Sequence, residues 1–129
     1  MSKNAMTKQK FINQWLRHFA PELSKDQYKQ YVENQYIWHV FSFNLIESDL
    51  LRIGDAARQA FDQIEKNDCV CCDIFGDGVM NKLPMGCDTA EKIEGKFSEF
   101  YVVAKDYSWT YIQTHERDSC GPYFLKATK

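Results

Sequence analysis

Two stretches near the C-terminus, Glu99 to Lys105 (EFYVVAK) and Ser108 to Thr114 (SWTYIQT), read as consecutive β-strands joined only by Asp106-Tyr107. A connection this short forces antiparallel pairing and fixes the register, because a slip of one residue would turn every side chain to the opposite face. Lys105 then pairs with Ser108, Ala104 with Trp109 and Val102 with Tyr111. Phe100, Val102, Ala104, Trp109 and Tyr111 share one face, expected beneath helices. Tyr101, Val103, Thr110, Ile112 and Thr114 share the other. Asp106-Tyr107 lacks the preferred Asn-Gly chemistry, so a longer loop with a bulge is the alternative.

The rest of the chain has to cover this sheet. Lys8 to Phe19 places Phe11, Ile12, Trp15, Leu16 and Phe19 at spacings of three and four, the pattern of an amphipathic helix that Ala20-Pro21 ends. Ser24 with Gln27 forms a capping box for a second helix from Lys25, whose face continues through Tyr28, Val32, Gln35, Tyr36, His39 and Phe43. The aromatic and β-branched run Tyr36 to Phe43 (YIWHVFSF) suits a strand nearly as well; the reading here is helix. Gly54 to Glu65 is a third helix with Ala57, Ala60, Phe61 and Ile64 inward. Asp68 to Phe75 (DCVCCDIF) is a strand, Gly76 to Gly78 a turn, and the segment to Gly86 a loop. Asp88 with Glu91 opens a short helix that Gly95 would stop. The expected fold is α+β: N-terminal helices packed on one face of a small antiparallel sheet with a C-terminal β-hairpin.

With 129 residues, 44% of them hydrophobic, the chain suits a single domain, residues 1–7 being read as a disordered extension. Its formal net charge of −2 gives no basic field for nucleic acid or an anionic membrane. No apolar run nears the roughly 18 residues of a membrane span, and the N-terminus lacks a signal-peptide core. The acid-free first 21 residues superficially resemble a targeting peptide, but their large aromatics suit a core helix better. A cytoplasmic location is expected.

Five cysteines, Cys69, Cys71, Cys72, Cys87 and Cys120, are an odd number in a chain without an export signal, which disfavours a disulfide framework. Cys69 and Cys72 have C-x-x-C spacing, yet on a strand they point to opposite faces, so buried free thiols are expected instead of a zinc or redox site. Asp73 and Asp77 hint at a calcium loop, but Pro84 stands where its closing glutamate belongs. His115-Glu116 lacks the second histidine of the zinc-peptidase motif, since Ser119 occupies that position. A looser set, Cys120 as nucleophile, His115 as base and Glu116 or Asp118 as orienter, is chemically coherent. His39 reads as a hydrogen-bonded core or rim histidine, and His18 as an exposed helix residue.

The ordered motifs Tyr36-Ile37-Trp38-His39-Val40-Phe41-Ser42-Phe43, Tyr101-Val102-Val103, Lys105-Asp106, Trp109-Thr110-Tyr111, Thr114-His115-Glu116 and Gly121-Pro122-Tyr123-Phe124 together resemble domain of unknown function 4275 over nearly the whole chain. The resemblance implies a small, self-contained bacterial cytosolic protein and brings no activity, cofactor or partner with it. The cysteine-dense strand looks like a departure from the family pattern. Two functions are expected from different classes. The first is a noncatalytic protein-binding or regulatory module, of the kind that includes toxin-neutralising immunity proteins. Its contact candidates are Trp38, His39, Tyr107, Trp109 and Tyr123, its partner another protein, and neither metal nor cofactor is expected. The alternative is a small hydrolase or metal-assisted enzyme using His115, Glu116 and Cys120, with His39 as a further candidate.

Overall fold

The computed structural model describes residues 8–33, 37–43, 45, 48–66, 69–73, 78–80, 82–83, 86–114 and 121–127. The first helix, α1 (Lys8–Phe19), has the bounds its periodicity predicts. Ser24 and Gln27 form the expected capping box at the start of α2 (Lys25–Gln27), with Ser24 Oγ accepting from Gln27 N–H at 3.1 Å and Gln27 Oε1 accepting from Ser24 N–H at 3.0 Å. From there the chain departs from a continuous helix. It widens into a π-turn (Tyr28–Val32), leaves helical geometry at Glu33, and resumes as α3 (His39–Ser42). The reason lies in what is buried: Ile37, Trp38, Val40 and Phe41 enter the core, whereas Phe43, on the expected face, is 51% exposed. One straight helix from Lys25 could not turn both stretches inward.

Strand β1 (Arg52–Ile53) leads into α4 (Asp55–Gln63), followed by β2 (Cys69–Asp73), β3 (Gly78–Met80), α5 (Ala90–Lys96), β4 (Phe100–Ala104), β5 (Trp109–Gln113) and β6 (Tyr123–Lys126). The expected turn at Gly76 to Gly78 falls largely outside the described residues, and Gly78 itself begins β3. Helix α5 is capped by Thr89, not Asp88: Thr89 Oγ1 accepts from Lys92 N–H at 3.3 Å, while Asp88 pairs with the Lys92 ammonium at 3.1 Å. Gly95 lies inside that helix, with Phe97 as its C-cap.

The six strands form one antiparallel sheet in the order β1-β6-β5-β4-β2-β3. Val102 pairs with Tyr111 as the short connection requires, but the ladder ends at Val103–Thr110. The loop is longer than two residues, running from Lys105 to Ser108, but the ladder keeps the expected register without a bulge, and Tyr107 N–H donates to Ala104 C=O at 2.8 Å.

Helices cover both faces of the sheet rather than one. Phe11, Trp15 and Phe19 of α1, with Ile37, Trp38, Val40 and Phe41, pack on Val70, Cys72, Tyr101, Val103, Ile112, Tyr123 and Leu125. On the opposite face, Ala57 and Phe61 of α4 and Ala90 and Ile93 of α5 meet Cys69, Cys71, Phe100, Val102, Ala104, Trp109, Tyr111 and Phe124. Strands β4 and β5 are buried at every position, so each parity of side chain needs its own apolar cover. Arg58 clips α4 to α5, reaching Glu94 at 2.6 Å and Asp55 at 2.7 Å, and Asp62 Oδ1 accepts from Ala90 N–H at 2.8 Å.

The cysteines divide as strand geometry predicts, Cys69 and Cys71 on one face and Cys72 on the other, and these three with Cys87 are buried free thiols. Burial, reinforced by neighbouring thiols, pushes the Cys71 thiol far above its ordinary range. In the native protein, iodoacetamide at pH 8.5 is expected to leave Cys71 unmodified by peptide mass mapping, with labelling only after denaturation. Rapid native labelling would contradict this packing.

One polar chain ties α1 to the middle of the sheet. Trp15 Nε1–H donates to Thr110 Oγ1 at 2.9 Å, and the Thr110 hydroxyl donates to Val102 C=O at 2.7 Å, all buried. Thr110→Val keeps the shape and leaves the indole N–H without its acceptor, so it is expected to lower unfolding stability by about 1–3 kcal/mol in urea titration. An unchanged midpoint would show that the link contributes nothing.

Candidate functional site

With Phe11, Trp15 and Phe19 committed to the core, another side of α1 is left to form surface. The turn after α1 folds back tightly, Ala20 N–H bonding to Leu16 C=O at 2.9 Å and Leu23 N–H to Ala20 C=O at 3.1 Å. The capping box then launches α2 at an angle to α1, and the π-turn follows without a break, Glu33 N–H reaching Tyr28 C=O at 2.7 Å. Between these elements lies a cavity of about 460 Å³ whose walls include Asn13, Leu16, Ala20, Leu23 and Tyr28. Arg17 and Lys25, both exposed, supply its cations, and no Asp or Glu lines it.

A second cavity, of about 540 Å³, lies on the other side of Arg17 and Pro21, where His18 meets Asp106, Tyr107 and Ser108 of the β4–β5 loop. Tyr107 adopts φ +60°, a left-handed conformation unusual for a bulky residue. The surrounding loop holds it there. Asp106 Oδ1 accepts from Ser108 N–H at 3.0 Å and from the Ser108 hydroxyl at 2.6 Å, and Tyr107 N–H is tied to Ala104. The Tyr107 ring stacks on His18 with centroids 4.3 Å apart and planes at 15°. Burial raises the Tyr107 phenol pKa, and the hydrogen bonds from Ser108 lower that of Asp106. At neutral pH the loop therefore presents a phenol donor beside a carboxylate. The two cavities share Arg17 and Pro21 and adjoin as two compartments of one groove; both are mainly apolar in surface, the first with Arg17 and Lys25 at its rim and the second adding an imidazole, a phenol and the Asp106 carboxylate.

The contact candidates read from sequence separate into core and surface. Trp38, Trp109 and Tyr123 are only 2%, 5% and 3% exposed and pack within the hydrophobic clusters, so they hold the fold and present no contact surface. The aromatic composition that suggests an interface also describes a core. His39 is half-buried on the rim, its Nδ1–H donating to Tyr31 C=O at 2.7 Å and its ring edge-on to Trp38 and Phe43. Only Tyr107 lines the groove. His115, Glu116 and Cys120 lie outside the described residues, as does Asp118.

At the opposite end of the β4–β5 pair is a polar group that sequence reading passed over. Glu99 is fully buried, and the Tyr101 hydroxyl donates to its Oε2. Thr114 and Gln113 are buried near the same strand ends, and Gln113 Nε2–H donates to Phe97 C=O at 2.6 Å. Gly121, at φ +84°, leaves no room for a side chain: a Cβ there would stand 3.0 Å from the Tyr123 ring and 3.3 Å from Thr114 Cγ2. Glu99 was invisible because a glutamate flanking a strand ordinarily points into water.

Arg17, His18 and Tyr28 were also missed as site residues, although one signal pointed to them. Residues 8–30 hold five Lys or Arg against two acids, in a chain of net charge −2. Among the described residues, no group of three or more His, Cys, Asp or Glu side chains is arranged to hold a metal ion. The groove presents an apolar floor, two exposed cations, an imidazole, a phenol and the Asp106 carboxylate.

No curated protein and no solved structure shows significant similarity to the chain. The family model described as "Domain of unknown function (DUF4275)" matches residues 3–124, and by that match the chain belongs to this family.

Proposed function

We propose that the protein is a cytoplasmic, noncatalytic protein-binding module, regulatory or immunity-type in character, and that it binds its partner through the two-compartment groove along α1. The observation that carries this reading is a pair of mainly apolar cavities that share Arg17 and Pro21, one offering Leu16, Leu23 and Tyr28 with two cations and the other His18, Tyr107 and Asp106. Adjacent pockets that offer different polar groups suit successive side chains of one bound segment. Their walls come from elements anchored in the core, which limits the entropy lost on binding.

A second reading, a small hydrolase working at the far end of the sheet, draws support from the buried Glu99 and its Tyr101 donor. A carboxyl group removed from water is costly to keep, and such groups are common in catalytic sites. His115, Glu116 and Cys120 remain that reading's candidates, with Glu99 added.

Site-specific photocrosslinking in living cells tests the first reading against the second. A benzoylphenylalanine replacing exposed Glu22, beside Pro21 at the rim, is expected to give a discrete protein adduct, lost with Arg17→Glu/Lys25→Glu and absent for a crosslinker replacing Gln59 on α4. Adducts insensitive to the charge reversals would contradict the groove. Ester or amide hydrolysis by the purified protein, abolished by Glu99→Gln in a variant that stays folded, would favour the second reading.

A further inference from the structure

Resting on the groove reading above, we infer that the bound segment is acidic and carries one large apolar side chain, which enters the compartment between α1 and α2 while its carboxylates meet Arg17 and Lys25.

The cavity's chemistry sets both halves of this specificity. Leu16, Ala20, Leu23 and Tyr28 give it an apolar floor, and its volume of about 460 Å³, open to solvent, has room for one large side chain laid against that floor. An apolar side chain gains there by leaving water. A wholly polar polyanion would have nothing to place against that floor. Both charged residues in the lining, Arg17 and Lys25, are cations. A basic segment would therefore meet two like charges at the rim, a repulsion that excludes partners more strongly than attraction holds them.

The charge distribution over the chain points the same way. The excess of basic residues between 8 and 30 lies in a protein whose net charge is negative. Exposed Glu22 and Asp26 stand beside Lys25, so the attraction for an acidic segment comes from Arg17 and Lys25, the charged groups of the lining itself. In the second compartment His18 and Tyr107 offer hydrogen-bond donors, while Asp106 disfavours further acid at that end. The acidic positions therefore belong on the Lys25 side of Arg17.

The test is selection from a phage-displayed library of random dodecapeptides on the intact protein, followed by affinity measurement on the best synthetic peptides. The account expects a consensus with two or more Asp or Glu flanking one Trp, Phe or Leu. Arg17→Glu/Lys25→Glu should weaken binding about tenfold or more, and 0.5 M salt should weaken it as well. Asn13→Trp, which fills the apolar compartment from an exposed position, should abolish binding while circular dichroism stays unchanged. Groove-dependent peptides that are neutral or basic would overturn the acidic specificity and leave the binding reading standing. Enrichment of no peptide sensitive to Asn13→Trp would overturn both. A native dimer that Asn13→Trp converts to monomer would assign the groove to a second copy of the chain and overturn the inference.

Discussion

A single hydroxyl group sets the position of the first helix. Thr110 stands next to the first residue of β5, donates to the carbonyl of Val102 on β4, and accepts the indole N–H of Trp15 from α1. The hydroxyl has one proton to give, and the Val102 carbonyl receives it. Its lone pairs are then free to accept from the indole, which has only a donor to offer. The link is directional and buried, so it fixes both the height and the rotation of α1 over the sheet. Everything on the exposed side of α1 follows from that rotation: Asn13, Leu16 and Arg17 face α2, and His18 comes to rest on Tyr107.

Both faces of the sheet are held by aromatic contacts, and the face under α4 and α5 adds small buried groups. Under α1 and α3 the packing is dense in aromatic contacts. Phe11 stacks on Tyr101 with centroids 6.5 Å apart, Trp15 meets Phe41 edge-on at 5.7 Å, and Phe41 lies 4.9 Å from Tyr123. Under α4 and α5, Phe61 stacks on Tyr111 at 4.3 Å, and small groups, Cys69, Cys71, Ala57 and Ala90, let the helices approach. The cysteines serve there as compact apolar groups, and burial raises the thiol pKa of Cys71 and of Cys87. Outside the core, Arg58 holds the two helices together through carboxylates on both of them.

Much of the fold was legible because it is encoded locally. The bounds of α1, the Ser24–Gln27 capping box, the opposite facing of Cys71 and Cys72 and the Val102–Tyr111 register all follow from periodicities of 3.6 and 2 or from a short turn. What escaped depends on tertiary context. The second helix layer could have been read from apolar residues at both parities of β4 and β5, but attention to one face hid it. The break after Val32 arises because Ile37, Trp38 and Phe41 find more burial against the sheet than a continued helix allows. Strands β1 and β3, two and three residues long, are too short to carry a period. Of the candidate site, Tyr107 was anticipated, whereas His18 becomes a site residue because the β4–β5 loop lies beside it, and Arg17 because α2 folds back against α1 as well.

On the proposed binding reading, recognition depends on where α1 is placed, and the core, with the Thr110 link, makes that placement. Mapping amide chemical shifts in ¹H–¹⁵N spectra tests this directly, during titration with a short peptide of tryptophan flanked by aspartates. The account predicts shifts concentrated at residues 13–28 and 106–108. Shifts concentrated instead around Glu99 and Thr114 at the far end of the sheet, with α1 unperturbed, would contradict it.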